Sequence, residues 1–201
     1  MPAIWLVSDT HFGQNGVCRA VKSDGTKLRP WDDPADMDEA MIKLWNDRVK
    51  PRDKVYHLGD VAMNRRELKT LSRLNGEKVL IRGNHDIFPD HEYLEYFSML
   101  KAYHVIPGMI FSHIPIYAEG MDRFTINVHG HLHAERVHKI SGVDAAGQIV
   151  FSPEIDPRYH CVCVEQTGFA PILLDDVKAR IVAEGGVLSR RDGNYDPEQE
   201  D

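Results

Sequence analysis

Apolar residues follow one another along this chain in two rhythms, short unbroken runs and helical spacings, and their order predicts the architecture. Ala3 to Val7 is an uninterrupted apolar run, suited to a strand covered on both faces. A polar, glycine-rich loop follows. Met37, Met41, Leu44 and Arg48 then recur at helical spacing and predict a helix from about Ala35 to Lys50, with Asp33 as cap, Pro34 at the first position and Pro51 as stop. Lys54 to Leu58 reads as a second strand. Asn64 and Glu67 resemble a capping box opening a helix from Arg65 to Leu74, which Asn75-Gly76 ends. Lys78 to Arg82 reads as a third strand, and Asp90 to Leu100 as a helix with Tyr93, Leu94, Phe97 and Leu100 on one side.

Strands crowd the second half. His104 to Ile106 and Met109 to Ser112 predict a hairpin around Pro107-Gly108, Thr125 to His129 another strand, and Asp144 to Gly147 the turn of a further hairpin. Tyr159 to Glu165 and Ala170 to Leu173 read as a closing strand pair, followed by a short helix from Asp175 to Glu184 that Gly185-Gly186 stops. Early alternation and later clustering favour a mixed α/β sandwich over a doubly wound sheet. Residues 1–186 are expected to form one domain and 187–201 a loose acidic tail.

Composition narrows the function. The net charge of −7 argues against a nucleic-acid partner, which needs a basic footprint. No apolar run is long enough to span a bilayer, and the opening MPAIWLVSD has no basic n-region or cleavage site, so neither a membrane partner nor a signal peptide is expected. Cys18, Cys161 and Cys163 form no disulfide framework, and a reducing cytoplasm is the expected compartment. Nothing in the sequence indicates an oligomeric state. The 11 histidines are the unusual component.

Five apolar runs end on a side chain that can bind metal. LVSDTH ends in Asp9 and His11, VYHLGD in Asp60, LIRGNHD in Asn84, His85 and Asp86, IFSHIP in His113, and INVHGHLH in His129, His131 and His133. Ligands of α/β proteins sit at the carboxyl ends of strands, so neighbouring strands would bring these groups to one rim. Carboxylates, a carboxamide and imidazoles without thiolate suit Mn, Fe, Zn, Co or Ni, not an all-oxygen calcium cage, and manganese is favoured. Seven ligands exceed what one ion with an open position takes, but they suit two divalent ions sharing a carboxylate. Such a pair would leave about +2 formal charge at the rim, so an acidic protein could still attract an anion.

The series Asp9-x-His11, Gly59-Asp60, Gly83-Asn84-His85-Asp86, Ser112-His113 and Gly130-His131-x-His133 resembles the calcineurin-like metallophosphoesterase superfamily, specifically its small prokaryotic and phage members without a cap domain. VCVEQTGFAPILLDDV is similar to the end of those proteins. The resemblance implies a four-layer α-β-β-α sandwich with two mixed sheets. It implies that Asp9, His11 and His133 hold one metal, that Asn84, His113 and His131 hold the other, and that Asp60 bridges them. It makes His85 the catalytic histidine, with Asp86 orienting it. The reaction expected is in-line attack on phosphorus by a hydroxide shared between the metals, with His85 serving the leaving oxygen.

VAMNRR follows Gly59-Asp60 where the protein Ser/Thr phosphatases have Val-Asp-Arg-Gly, which counts against a phosphoprotein substrate. A small phosphoester is expected, first a nucleotide-like phosphodiester; the alternatives are a phosphomonoesterase, a nuclease or a non-catalytic binding scaffold. Asn15, Arg19, Arg29 and Trp31 flank the rim as candidates to touch a substrate phosphate or base. His129 is expected to be buried and hydrogen-bonded, His57 to be core, Cys18 to be inert, and His91, His104, His138 and His160 to lie at the surface or in loops.

Overall fold

Two mixed sheets stack face to face, and they set where every candidate ligand lies. The computed structural model describes residues 2–121 and 123–188. Of the expected acidic tail, 189–201 lie outside the described residues. The first sheet contains β1 (Ile4–Val7), β2 (Lys54–His57), β3 (Glu77–Ile81), β4 (Met99–Lys101) and β11 (Ile172–Leu173), in the order β11-β1-β2-β3-β4. β1 to β4 run parallel and β11 antiparallel to β1. The second sheet orders β10 (Tyr159–Cys161), β7 (Ile126–His129), β6 (Met109–Ser112) and β5 (His104–Ile106), with β10, β7 and β6 parallel. β5 and β6 form the expected hairpin, in the register His104 to Phe111 and Ile106 to Met109. β8 (His138–Val143) and β9 (Ile149–Ile155) form a separate two-stranded ribbon around the Asp144–Gly147 turn.

The core between the sheets is built from Leu6, Leu58, Ile81, Phe111, Ile126 and Val128, and α5 (Leu174–Ala183) inserts Val177 and Ile181 into its edge. On the outer face of the first sheet, α2 (Pro34–Arg48) packs Met37, Met41 and Trp45 against Val7, Val55 and Leu80. Asp33 caps α2 by accepting the Ala35 N–H at 2.8 Å, with Pro34 at the first position. The outer face of the second sheet carries a thinner layer, a 3₁₀ helix at Ala118–Met121 whose Met121 packs with Ile110 and Tyr159. The sequence therefore foresees the layered sandwich. Among the described residues no helix is long and apolar enough to cross a membrane.

Several local expectations are corrected. Arg65–Arg73 is a 3₁₀ helix, and no capping box forms because the Asn64 side chain caps nothing. The Glu67 side chain instead packs beneath Gly13 and pairs with Arg66. The helix expected over Asp90 to Leu100 is only α3 (Asp90–Tyr93); the chain then extends into β4, since pairing with β3 satisfies more backbone than one further helical turn. The closing strand pair does not form: β10 joins β7 and β11 joins β1, separated by α4 (Val164–Thr167). The loop after β1 contains an unforeseen helix, α1 (Asn15–Arg19). His160 is buried on β10, not at the surface.

His57 is core as expected, packed between Trp45 and Phe97 with Nε2 3.0 Å from the Thr10 hydroxyl. Burial lowers its imidazole to about 3. The unfolded chain takes up this proton below about pH 6.5, whereas the folded chain resists until about pH 3. His57 therefore contributes fully above that window and less as pH falls through it, by up to about 1.4 kcal/mol per pH unit. Urea midpoints measured from pH 7 to 5 should fall more steeply for the wild type than for His57→Gln; parallel slopes would contradict this.

Candidate metal centre

The parallel strands bring their carboxyl ends to the same edge of the sandwich, and the loops carrying the candidate ligands leave from there. Asp9 and His11 follow β1, Asp60 follows β2, Asn84 and His85 follow β3, His113 follows β6, and His131 and His133 follow β7. Backbone bonds lace the loops together: Asp9 N–H to Gly59 O at 2.9 Å, His11 N–H to Asp60 O at 3.1 Å, and Gly130 N–H to His113 O at 2.9 Å. Asp9, His11 and His133 form one cluster whose ligand atoms lie within 4.8 Å of one another, and Asp60, His113 and His131 form a second within the same limit.

Asp60 stands between the two. Its Oδ2 lies 3.7 Å from His11 Nε2 and 3.5 Å from His113 Nε2, while its Oδ1 accepts the His85 N–H at 2.9 Å. Asn84 Oδ1 lies 2.8 Å from His113 Nε2. The His113 Nδ1 faces the Leu58 carbonyl at 2.7 Å, which leaves Nε2 turned to the cluster. Asp9 Oδ2 accepts from the Ser8 hydroxyl at 2.6 Å, the His131 N–H at 2.9 Å and the Cys163 thiol at 3.1 Å. Its Oδ1 and both ring nitrogens of His11 are buried without a hydrogen-bond partner among the described residues. Burial opposes ionisation of Asp9, but His11, His113 and the Ser8 hydroxyl outweigh it and hold the carboxyl far below its usual range. A buried anion and an imidazole with no donor or acceptor are costly unless a cation completes them. The donor set, oxygen and nitrogen without thiolate, suits two divalent ions.

Backbone conformation bears the mark of this convergence. Among the described residues the non-glycine positions with positive φ are Asp9, His11, Asp60, His131, His133 and Phe169, so five of the six are candidate ligands. Each such residue costs on the order of 1–3 kcal/mol, and such strain collects at functional sites. The neighbouring glycines leave no room for a side chain. A Cβ on Gly83 would lie 2.2 Å from Asp60 Oδ1, and one on Gly130 would lie 2.0 Å from Ser8 Oγ and 2.5 Å from Asp9 Oδ2.

The structure thus brings together Asp9, His11, Asp60, Asn84, His113, His131 and His133, with His85 beside them: its half-exposed ring puts Nε2 4.0 Å from Asp60 Oδ2. Asp86 takes a different part from the one expected. Its carboxylate accepts the N–H groups of Asp60 and Gly83 at 2.8 Å each and of Val61 at 3.0 Å, so it braces the β2 and β3 loops instead of orienting His85. Burial pushes this carboxyl up despite those donors. Arg29 is also corrected. It is fully buried, with Nη2 on the Asp9 carbonyl at 2.6 Å, Nη1 on the Thr10 carbonyl at 2.8 Å and Nε on Glu165 at 2.8 Å, so it cannot meet a substrate. Trp31 packs edge-to-face on Phe169 at 4.8 Å, while Asn15 and Arg19 are exposed on α1. His129 is buried with Nδ1 2.8 Å from the Gly130 carbonyl, and burial lowers it to about 4.

Sequence reading missed Glu165, whose Oε1 lies 3.1 Å from His133 Nδ1. Burial opposes its ionisation, but His133 and Arg29 outweigh that and lower its carboxyl; Glu165 in turn raises His133 against the effect of burial. Its position in a strand-like run gave no sign of this, although VCVEQ places a carboxylate shortly after Cys163, which itself touches Asp9.

Several known proteins are similar to this chain. The family model described as calcineurin-like phosphoesterase matches residues 2–180. An uncharacterized protein of Methanocaldococcus jannaschii is 31% identical over 198 residues, covering 94% of this chain and 96% of its own. The gene 66 protein of Mycobacterium phage D29 is 35% identical over 91 residues, 43% of this chain and 41% of that protein. A solved structure of a protein of unknown function from Aquifex aeolicus shares the fold, with a TM-score of 0.59 at 23% identity over 90% of this chain and 100% of that one.

Gly130→Ala should push Ser8 and Asp9 apart. Bound manganese, measured by elemental analysis after reconstitution, should fall well below that of the wild type while circular dichroism stays unchanged; full metal content would contradict the packing described.

Proposed function

This chain belongs to the calcineurin-like phosphoesterase family and is a metal-dependent phosphoester hydrolase, and from that premise we propose that it cleaves a small phosphodiester, such as a nucleotide diester, at a centre of two divalent ions. The observation that carries the two-ion reading is the position of Asp60, with one oxygen 3.7 Å from His11 and 3.5 Å from His113. In this reading Asp9, His11 and His133 hold one ion, Asn84, His113 and His131 hold the other, and Asp60 is shared. Among Mn, Fe, Zn, Co and Ni, the metals that mixed oxygen and imidazole donors suit, we take manganese as the working ion. When bound, such ions supply Lewis acidity that neutralises phosphoryl oxygens and lowers the pKa of water.

The chain's own groups do the rest. Asn84 contributes a neutral oxygen, which spares the centre a third negative charge. His85, half-exposed and held by its N–H on Asp60, is free to hydrogen-bond or protonate the leaving oxygen. Help of this kind is worth about 10²–10⁴-fold. The singly charged diester is favoured over a dianionic monoester because Arg29, the rim arginine expected to clamp a phosphate, is turned inward on Asp9, Thr10 and Glu165. The net charge of −7 speaks against a polynucleotide substrate. Three free cysteines fit a reducing compartment, and we place the protein in the cytoplasm.

With manganese, turnover of bis-p-nitrophenyl phosphate should exceed that of p-nitrophenyl phosphate; the reverse order would assign a monoesterase. His85→Gln should keep its metal content by elemental analysis and lose about 10²–10⁴ in turnover. Unchanged turnover would refute the role given to His85.

A further inference from the structure

We propose that the buried Arg29–Glu165 pair makes the two metal positions unequal, so that Asp9, His11 and His133 bind the tighter ion and fill first. This rests on the two-ion reading. The Glu165 side chain is 3% exposed and that of Arg29 0%, and they meet at 2.8 Å. Glu165 then faces His133 Nδ1 at 3.1 Å. A carboxylate there fixes the tautomer, aims Nε2 toward Asp9 Oδ1, 3.9 Å away, and makes the imidazole a stronger donor to a cation.

Arg29 ties this carboxylate to the other half of the same triad. Two of its N–H groups hold the carbonyls of Asp9 and Thr10, on the turn where Asp9 and His11 take φ of 59° and 50°. One guanidinium therefore fixes the strained turn that carries two ligands and, through Glu165, the ring of the third. His133 is itself left-handed, at φ 51°, so its own backbone needs the same external support.

The other position lacks this arrangement. His113 is oriented by a neutral backbone carbonyl, that of Leu58 at 2.7 Å, which raises imidazole basicity less than an ionised carboxylate. The ring of His131 rests edge-on against His113 and has no hydrogen-bond partner among the described residues. Glu165 and Arg29 are thus positioning residues for one metal and not for the other.

The test is manganese binding to metal-stripped protein by equilibrium dialysis. The wild type should bind two ions in separate steps, the first tighter by about tenfold or more. Glu165→Gln should loosen the tight step by about 10–100-fold and leave the weak step in place. His131→Ala, which spares the first triad, should keep one tight ion, and adding Glu165→Gln to it should loosen that ion. Should Glu165→Gln fail to fold, Glu165→Asp, which withdraws the charge by one methylene, should loosen the same step. Thermal melts of the metal-free proteins separate a loss of fold from a loss of affinity. Two ions of equal affinity in the wild type, or loosening of the weak step, would overturn the inference alone. A single ion in the wild type would overturn the two-ion reading and the inference with it.

Discussion

A buried carboxylate at the meeting of two sheets governs this structure. Asp60 leaves the central strand β2, between β1 and β3, and reaches toward the loops of β6 and β7 across the sandwich. One of its oxygens holds the backbone of His85; the other faces His11 and His113 at once. For that carboxylate to be there, Gly59 must turn with φ 94°, Gly83 must pass with no Cβ, and Asp86 must gather the N–H groups of Asp60, Val61 and Gly83. The apolar core between the sheets serves the same end, because it fixes how far apart the two sets of strand ends stand.

This convergence is costly when no cation is considered. It buries Asp9 at 0% exposure and Asp60 at 2%, and it holds five candidate ligands in left-handed backbone. Such conformations persist only where the surroundings over-determine them. Here the over-determination is visible: the Asp9 turn alone is tied by the Gly59 carbonyl, the Arg29 guanidinium, Ser8 and Cys163. The cluster is therefore preorganised by hydrogen bonds that do not themselves need a cation, and binding one would recover the desolvation already incurred.

The candidate cluster was legible in the sequence because strand ends are legible. A run such as VLIRG followed by Asn-His-Asp changes from buried to polar within two residues, and parallel neighbours must carry such ends to one edge. The groups behind it were not legible. Glu165 and Arg29 are 136 positions apart and nothing local pairs them. Arg29 read as a rim candidate because arginine seldom lies fully buried, and the carboxylate, two carbonyls and Met37 sulfur around it make that tolerable. Asp86 adjoins His85 in sequence, yet the tight turn directs its carboxylate to backbone donors. The chain after Tyr93 has helical spacing but extends, since an open edge on β3 offered pairing that periodicity does not register. The closing strands failed for the same reason: each found a better partner in a different sheet.

The most direct test of the central claim is an anomalous-scattering map at the manganese edge, from crystals of the metal-loaded protein. The account predicts two peaks, one beside Asp9, His11 and His133 and one beside Asn84, His113 and His131, with Asp60 touching both. A single peak, or two that do not share Asp60, would contradict it.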